Sequence, residues 1–322
     1  MTTQRPLDFD KSIQFYLSAV VQPGQGDRRQ RQQGRVPSGN DNHAMLKSQF
    51  FPAGEGLSDI VEAVWDVDFD DARSARALTI KVLPATSPVL IVHYRAAMTA
   101  AHRSRYKRTA NGMQTQAMTL RPSGPLGVVL VRLKAEEACR VLGCDLADMT
   151  DASVELSDIF GDHEASLLEE MLAEAESAQA RVARMQEFLG GRIAASRFDP
   201  VVRHAIRALK QDPAISMKAL ASRLDIGERS LQRRFRTLTG VSPKQFARVE
   251  RIQKVVATRL KGSNWADLAY ATGYSDQAHL INDFRSLAGA PPGAFFRGTM
   301  AAEYRIWNAE LAASDFYNTF VT

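Results

Sequence analysis

The chain has 322 residues, 45% of them hydrophobic and 24% charged, with a formal net charge of +5. That length holds two ordinary domains, each able to bury its own core. No apolar run approaches the roughly 18 residues of a membrane span, and no N-terminal apolar segment precedes a small-residue cleavage site, so the expected compartment is the cytoplasm. The positive charge is segregated: residues 197–299 hold 18 Lys and Arg against 8 Asp and Glu, while the remainder holds 23 against 28. Such segregation is expected if that part alone meets a polyanion.

Residues 1–44 join a short apolar segment, LDFDKSIQFYLSAVV, to QPGQGDRRQRQQGRVPSGNDNH. The second stretch has too little apolar surface to offset its ordering entropy, and the whole is expected to be a disordered extension. Met45 then opens the folded part and is an alternative natural start. Arg28, Arg29 and Arg31 can touch phosphate, although a solvated basic tract is the simpler expectation.

From Phe50 to Leu133 the runs IVEAVWDVDF, ALTIKVL, VLIVHYR, MQTQAMTL and GVVLVRL are separated by Pro84, Pro88, Gly112, Pro122, Gly124, Pro125 and Gly127. Short β-type runs with Gly and Pro punctuation predict a small barrel or sandwich. A metal-dependent enzyme in that barrel would need clustered His and carboxylate ligands. The stretch offers only His93 and His102, without an HxH pair. His93 is therefore expected to be a strand residue with a satisfied ring, and His102 to lie in a basic loop, AAHRSRYKR; no metal and no cofactor is expected.

Residues from Ala135 to Ile193 read as helices. Leu167, Leu168, Met171, Leu172, Ala175, Ala178, Val182, Met185 and Leu189 recur by threes and fours, which predicts one apolar stripe. Packing on its own domain is the simpler use of that stripe, and a dimer seam the sharper one. Cys139 and Cys144 are expected as packed thiols, with a disulfide or redox switch as the alternative.

The most informative feature is a pattern written twice, SMKALASRLDIGERSLQRRFRTLTGVSPKQF from Ser216 and NWADLAYATGYSDQAHLINDFRSLAGAPPGAF from Asn264. Leu220 and Ala221 match Leu268 and Ala269, 48 residues on. Leu231, Phe235, Gly240, Pro243 and Phe246 match Leu280, Phe284, Gly289, Pro292 and Phe295, 49 residues on. The extra residue falls in the turn, so both helical stripes survive it. Asp199 and Pro200 start a supporting helix, and Ser216 caps the first helix of the pair, with Leu220 and Leu224 inward. The turn runs from Asp225 to Gly227, and the helix from Glu228 buries Leu231, Phe235 and Leu238.

That second helix presents Arg229, Gln232, Arg233 and Arg236 outward, side chains suited to guanine and adenine edges in the major groove. Gly240 ends it and Ser242 caps the next helix, whose nineteen residues to Lys261 span roughly 28 Å, close to a DNA turn of about 34 Å. Gly262 closes that long helix and Asn264 caps the next, with Trp265 and Leu268 as core anchors. Ser275 or Asp276 caps the second reading helix, which buries Leu280, Phe284 and Leu287. Its exposed residues are Gln277, Ala278, His279, Asn282 and Arg285, a face expected to work through amide contacts and positioning more than through Arg–guanine pairs.

LASRLDIGERSLQRRF and GYSDQAHLINDFRSLAGAPPGAF together resemble the DNA-binding domain of AraC/XylS-type transcriptional regulators, over residues 199–299. The resemblance implies seven helices in two helix-turn-helix subdomains joined by a long helix. It places base-reading positions on Arg229, Gln232 and Arg233, then on Gln277, Ala278 and Asn282. Gly227 stands where the family usually has a capping Ser, and Leu280 where Phe is commoner. More loosely, FFPAGEGLSDIVEAVWDVDF is similar to the cupin-like effector or dimerisation domain of these regulators, with no effector-site residue transferable.

The expected fold class is thus α+β. A small cupin-like barrel with packed helices spans 45–194, an all-α double helix-turn-helix domain spans 197–299, and a tail spans 300–322. The expected function is a sequence-specific bacterial activator that binds double-stranded DNA and contacts RNA polymerase, with a small-molecule effector and a homodimer as further partners and no membrane. The rivals are a metal-dependent cupin-type enzyme fused to a DNA-binding tail and a nonspecific architectural binder.

Overall fold

A computed structural model describes residues 47–297, apart from 78–79, 101–102, 195–198 and 261–264. The 1–44 extension with its arginines, the Met45 start, His102, Gly262, the Asn264 cap and the 300–322 tail lie outside the described residues.

The N-terminal half is built of two antiparallel sheets. The first has strand order β1-β2-β9-β4-β7-β10 and comprises β1 (Lys47–Phe51), β2 (Val61–Phe69), β4 (Val89–His93), β7 (Arg108–Asn111), β9 (Leu126–Leu133) and β10 (Ser153–Glu155). The second has the order β3-β8-β5-β6 and comprises β3 (Ile80–Val82), β5 (Met98–Ala100), β6 (Arg103–Tyr106) and β8 (Met118–Pro122). A short helix, α1 (Ala72–Ala77), joins β2 to β3.

Because side chains alternate along a strand, the register sorts the first sheet into two buried faces. Trp65, Val67, Val89, Ile91, His93, Val128, Leu130 and Arg132 point to the interior between the sheets. Val64, Leu90, Val92, Val129, Val131 and Leu133 point the other way, into a core shared with the helices. With both faces covered, β2 is buried along nearly its whole length.

Around His102, which is outside the described residues, the basic stretch expected as a loop contributes to the strands β5, β6 and β7. Their sequence hides them for physical reasons. β6 is an edge strand, where charged residues are tolerated and useful. β7 is internal, yet RTAN carries no apolar alternation, because Thr109 and Asn111 are buried polar residues. Of MQTQAMTL only Met118 onward is strand; Gln114 makes an isolated bridge to Ala85 instead.

Helical content after Ala135 is less than the sequence suggests. It consists of α2 (Cys139–Leu142), a 3-10 turn (Leu146–Met149), the strand β10, and the helices α3 (Leu156–Phe160), α4 (Asp162–Ala173) and α5 (Ala178–Gly190). The single expected stripe is two helices, because Ser177 accepts a bond from the Ala180 amide and restarts the chain as a new helix. Leu168, Leu172, Val182, Met185 and Leu189 are buried, whereas Leu167 faces out at 41% exposure. Cys139 and Cys144 are free and half-buried, with the Cys144 thiol 3.3 Å from the Met149 sulfur; burial pushes both thiols up from their ordinary range.

The C-terminal half is all helix: α6 (Pro200–Gln211), α7 (Met217–Arg223), α8 (Glu228–Thr239), α9 (Pro243–Leu260), α10 (Trp265–Ala271), α11 (Gln277–Ala288) and α12 (Pro292–Arg297). The starts obey the capping rules. Asp199 accepts from the Val201 amide with Pro200 behind it, Ser216 from Ala219, Ser242 from Gln245, and Asp276 from His279. α9 has 18 residues, about 27 Å of helix.

The two halves share a core. One apolar cluster runs from Val64 and Val131 of the sheet through Leu146 and Met149 to Leu231, Phe235 and Phe246 of the first motif. A second cluster holds Ile252, Val255, Leu268, Leu280, Phe284 and Phe295, and reaches the sheets through Leu83 and Ala117.

Candidate nucleic-acid interface

Each motif turns on a residue in the left-handed region, Asp225 (φ 52°) in the first and Gly273 (φ 78°) in the second, 48 residues apart. Glycine adopts that conformation freely, and aspartate is among the few other residues that tolerate it. Beyond each turn the reading helix buries a stripe: Leu231, Phe235 and Thr239 in α8, and Leu280, Phe284 and Leu287 in α11. Leu238, expected inside, is half-buried. Thr239 takes the inner position, where its hydroxyl donates to the Phe235 carbonyl at 2.8 Å. Leu224 and Trp265 are likewise half-buried at the margins of their clusters. The ring pairs Phe235–Phe246 and Phe284–Phe295 sit at the same centroid distance, 5.4 Å, in edge-on contact.

Burying those stripes turns the opposite faces outward. Arg229, Gln232, Arg233 and Arg236 are all exposed on α8, and among the described residues none of these arginines is in an ion pair. Gln277, Ala278, His279, Asn282 and Arg285 are all exposed on α11. Here Arg285 donates to Asn282 at 3.3 Å, and the His279 ring stands edge-on to Tyr274 at 5.1 Å. The start of α8 at Gly227 has no side-chain cap, whereas Asp276 caps α11, and the His279 amide that it accepts holds its carboxyl below the usual carboxylate range.

Several residues that matter for this geometry escaped the sequence reading. Arg234, on the flank of the arginine-rich face, pairs bidentately with Asp199 at 2.5 Å. On α11, Asp283 accepts from Arg248 and, at 2.9 Å, from the Tyr274 hydroxyl. The N-terminal half also holds the ends of both reading helices: the Thr150 hydroxyl donates to the Thr239 carbonyl at 3.1 Å, and the Ala117 amide to the Leu287 carbonyl at 3.0 Å. Carbonyls at helix C-termini lack partners within the helix, so these bonds complete them.

Between the halves lies a buried polar seam. Glu62 of β2 pairs with Arg132 at 2.7 Å and with Lys210 of α6 at 2.5 Å, and Ser87 bridges Lys210 and Glu62. Burial works to raise the Glu62 carboxyl, but Lys210 and Arg132 hold it below its ordinary value. Thr86 donates to Glu250 of α9, a fully buried carboxyl that burial pushes up to about 7.

Inside the sheets is an apolar cavity of about 180 Å³, lined among others by Trp65, Val82, Ile91, Met98, Leu120 and Leu130. His93 faces it with its ring Nδ1 unpartnered, contrary to the satisfied ring expected; burial, then Lys107, pushes that imidazole down to about 3. Gln253 of α9 closes one wall, donating to the Pro84 carbonyl at 2.9 Å. Among the described residues no group of three or more His, Cys, Asp or Glu is placed to hold a metal ion, and no helix is long and apolar enough to cross a membrane.

Residues 220–298 match a family model described as a helix-turn-helix domain, and residues 49–155 match one described as a domain of unknown function. An AraC-like transcription regulator of Streptomyces lividans is 32% identical over 101 residues, 30% of this chain, and the match spans 33% of that relative's length. Among solved structures, unsaturated fatty acid-bound ToxT from Vibrio cholerae is similar with a TM-score of 0.42 and 12% identity, covering 77% of this chain and 95% of that one. The AraC-like transcriptional activator CuxR follows at a TM-score of 0.26 and 16% identity, covering 74% of this chain and 87% of that one.

Proposed function

We propose that the chain is an AraC-like transcription regulator and that it reads two successive major-groove segments of double-stranded DNA, one with each reading helix. The observation that carries this reading is the pair of exposed polar faces, Arg229, Gln232, Arg233 and Arg236 on α8 and Gln277, Ala278, His279, Asn282 and Arg285 on α11, in which 229, 233 and 236 stand 49 residues before 278, 282 and 285. Each face lies opposite a buried stripe, so its direction is set by packing. The 27 Å of α9 between the motifs suits two heads on one face of a duplex whose turn is about 34 Å. The experiment is a binding titration on a site selected by the protein itself. Arg233→Ala should lose about 1–3 kcal/mol there and relax one base position. An unchanged affinity and preference would remove Arg233 from the reading face.

The same reading makes residues 45–194 the effector and dimerisation unit, and residues 197–299 the DNA-binding unit. The apolar cavity is the place for a small, largely apolar effector. Activation through RNA polymerase, assembly as a homodimer and a bacterial cytoplasmic location complete the proposal. Filling the cavity by Val128→Trp should abolish the response to any such effector while leaving DNA affinity in its absence intact. The rival enzyme would show itself as stoichiometric iron, zinc or manganese in the purified protein, and the architectural rival as affinity indifferent to sequence and steeply dependent on salt.

A further inference from the structure

Each reading helix is tied by one ion pair to the helix that supports its motif, and the sign of that pair is reversed between the two motifs. In the first motif Arg234 of α8 pairs with Asp199 at the start of α6. In the second, Asp283 of α11 pairs with Arg248 of α9. Residues 234 and 283 stand 49 apart, as do Leu231 and Leu280, so they occupy the same position of the repeat. Residues 199 and 248 are also 49 apart.

We propose that Asp199–Arg234 and Arg248–Asp283 are matched positioning pairs of opposite polarity, which seat each reading helix on its own support helix and disfavour seating on the other. A reading helix docked on the wrong support would bring Arg234 to Arg248, or Asp283 to Asp199, and like charges at such a contact are a penalty that apolar stripes of the same pattern cannot supply. The apolar positions of the two motifs are near copies, so charge is the feature left to tell them apart. Arg234 holds the Asp199 carboxyl below its ordinary range. Asp283 is 7% exposed and also accepts from Tyr274, whose ring lies 5.2 Å from the Arg251 guanidinium and edge-on to His279. The second pair therefore reaches from the long helix through the turn to an exposed residue of the reading face. These are positioning residues, since none of the four belongs to that face.

The inference rests on the two-segment reading of DNA, and the test separates the two. The full-length protein is footprinted on a site that it selected from a random pool, and base preference is measured at each segment for wild type, Asp283→Asn, Arg234→Gln and the double variant Arg248→Asp with Asp283→Arg. Asn at 283 keeps an acceptor for Tyr274 and removes only the charge. Asp283→Asn should weaken base discrimination roughly five- to tenfold at the second segment alone, Arg234→Gln should do so at the first alone, and the double reversal, which keeps an ion pair in each motif but gives both the same polarity, should weaken discrimination at both segments. Equal losses at both segments or no loss at either in a single variant, or wild-type discrimination in the double variant, would overturn the proposal. A wild-type footprint confined to one segment would overturn the two-segment reading itself, and this inference with it.

Discussion

The first reading helix is rooted in the core that continues through the sheets, where Leu231 and Phe235 join the same cluster as Leu146, Met149 and Val131. The second stands on its own cluster, which reaches the sheets through Leu83 and Ala117. One presents three arginines without an ion pair among the described residues, the other amides, a histidine and a single arginine that already leans on Asn282. The contrast teaches that a repeated motif can keep its apolar skeleton and still divide the work. The strongly charged head is packed into the core of the N-terminal half, and the weakly charged head is packed mainly on the long helix.

The largest effect should come from breaking the two cores. Phe235→Ala and Phe284→Ala each remove a fully buried ring and should cost about 3–5 kcal/mol. They should differ in extent: hydrogen exchange should show Phe235→Ala loosening the sheets as well as the first motif, and Phe284→Ala loosening the second motif alone. Equal spread of the two would contradict the separate clusters.

Next in size is the seam that fixes α9 against the sheets. Glu250, at about 7 in the folded protein against an ordinary value of 4.5, binds its proton more tightly folded than unfolded. Its contribution is therefore fully present below about pH 4.5 and is lost as pH rises through 7. His93, pushed down to about 3, works in the opposite sense below its ordinary 6.5, so the total profile mixes the two. Glu250→Gln isolates one of them: in urea titrations its stability relative to wild type should climb between pH 5 and 7 and run parallel above pH 8. A constant difference across that range would deny Glu250 this role.

The skeleton of the second half was legible because its signals are local. The stripes at 231, 235, 280 and 284, the caps at Asp199, Ser216, Ser242 and Asp276, and the glycine stops all lie within one or two turns of the residues they govern. What stayed hidden depends on partners far along the chain. β7 is held in the sheet by neighbours on both sides rather than by its own alternation. The apparent single stripe of 167–189 is two helices because Ser177 caps in mid-run. Glu62, Lys210 and Glu250 read as ordinary surface charges until the halves are packed together. The exposed faces could be named from period alone, but the pairs that hold them, Arg234 with Asp199 and Asp283 with Arg248, need a tertiary contact that no spacing announces.

The smallest test concerns the helix starts. A side chain at Gly227 would meet open space at an ordinary backbone conformation, so Gly227→Ser should stabilise the first motif by a few tenths of a kcal/mol. Asp276→Gly should cost the second motif a similar amount, since it removes the bond to the His279 amide. Thermal unfolding of the two variants should show shifts of opposite sign.

The most direct test of the central claim is a base-resolved footprint of the full-length protein on a DNA site that it has itself selected. The account predicts two protected major-groove segments about one helical turn apart on one face of the duplex, with Arg233→Ala weakening preference in one segment and Asn282→Ala in the other. A single protected segment, or protection that ignores sequence, would contradict it.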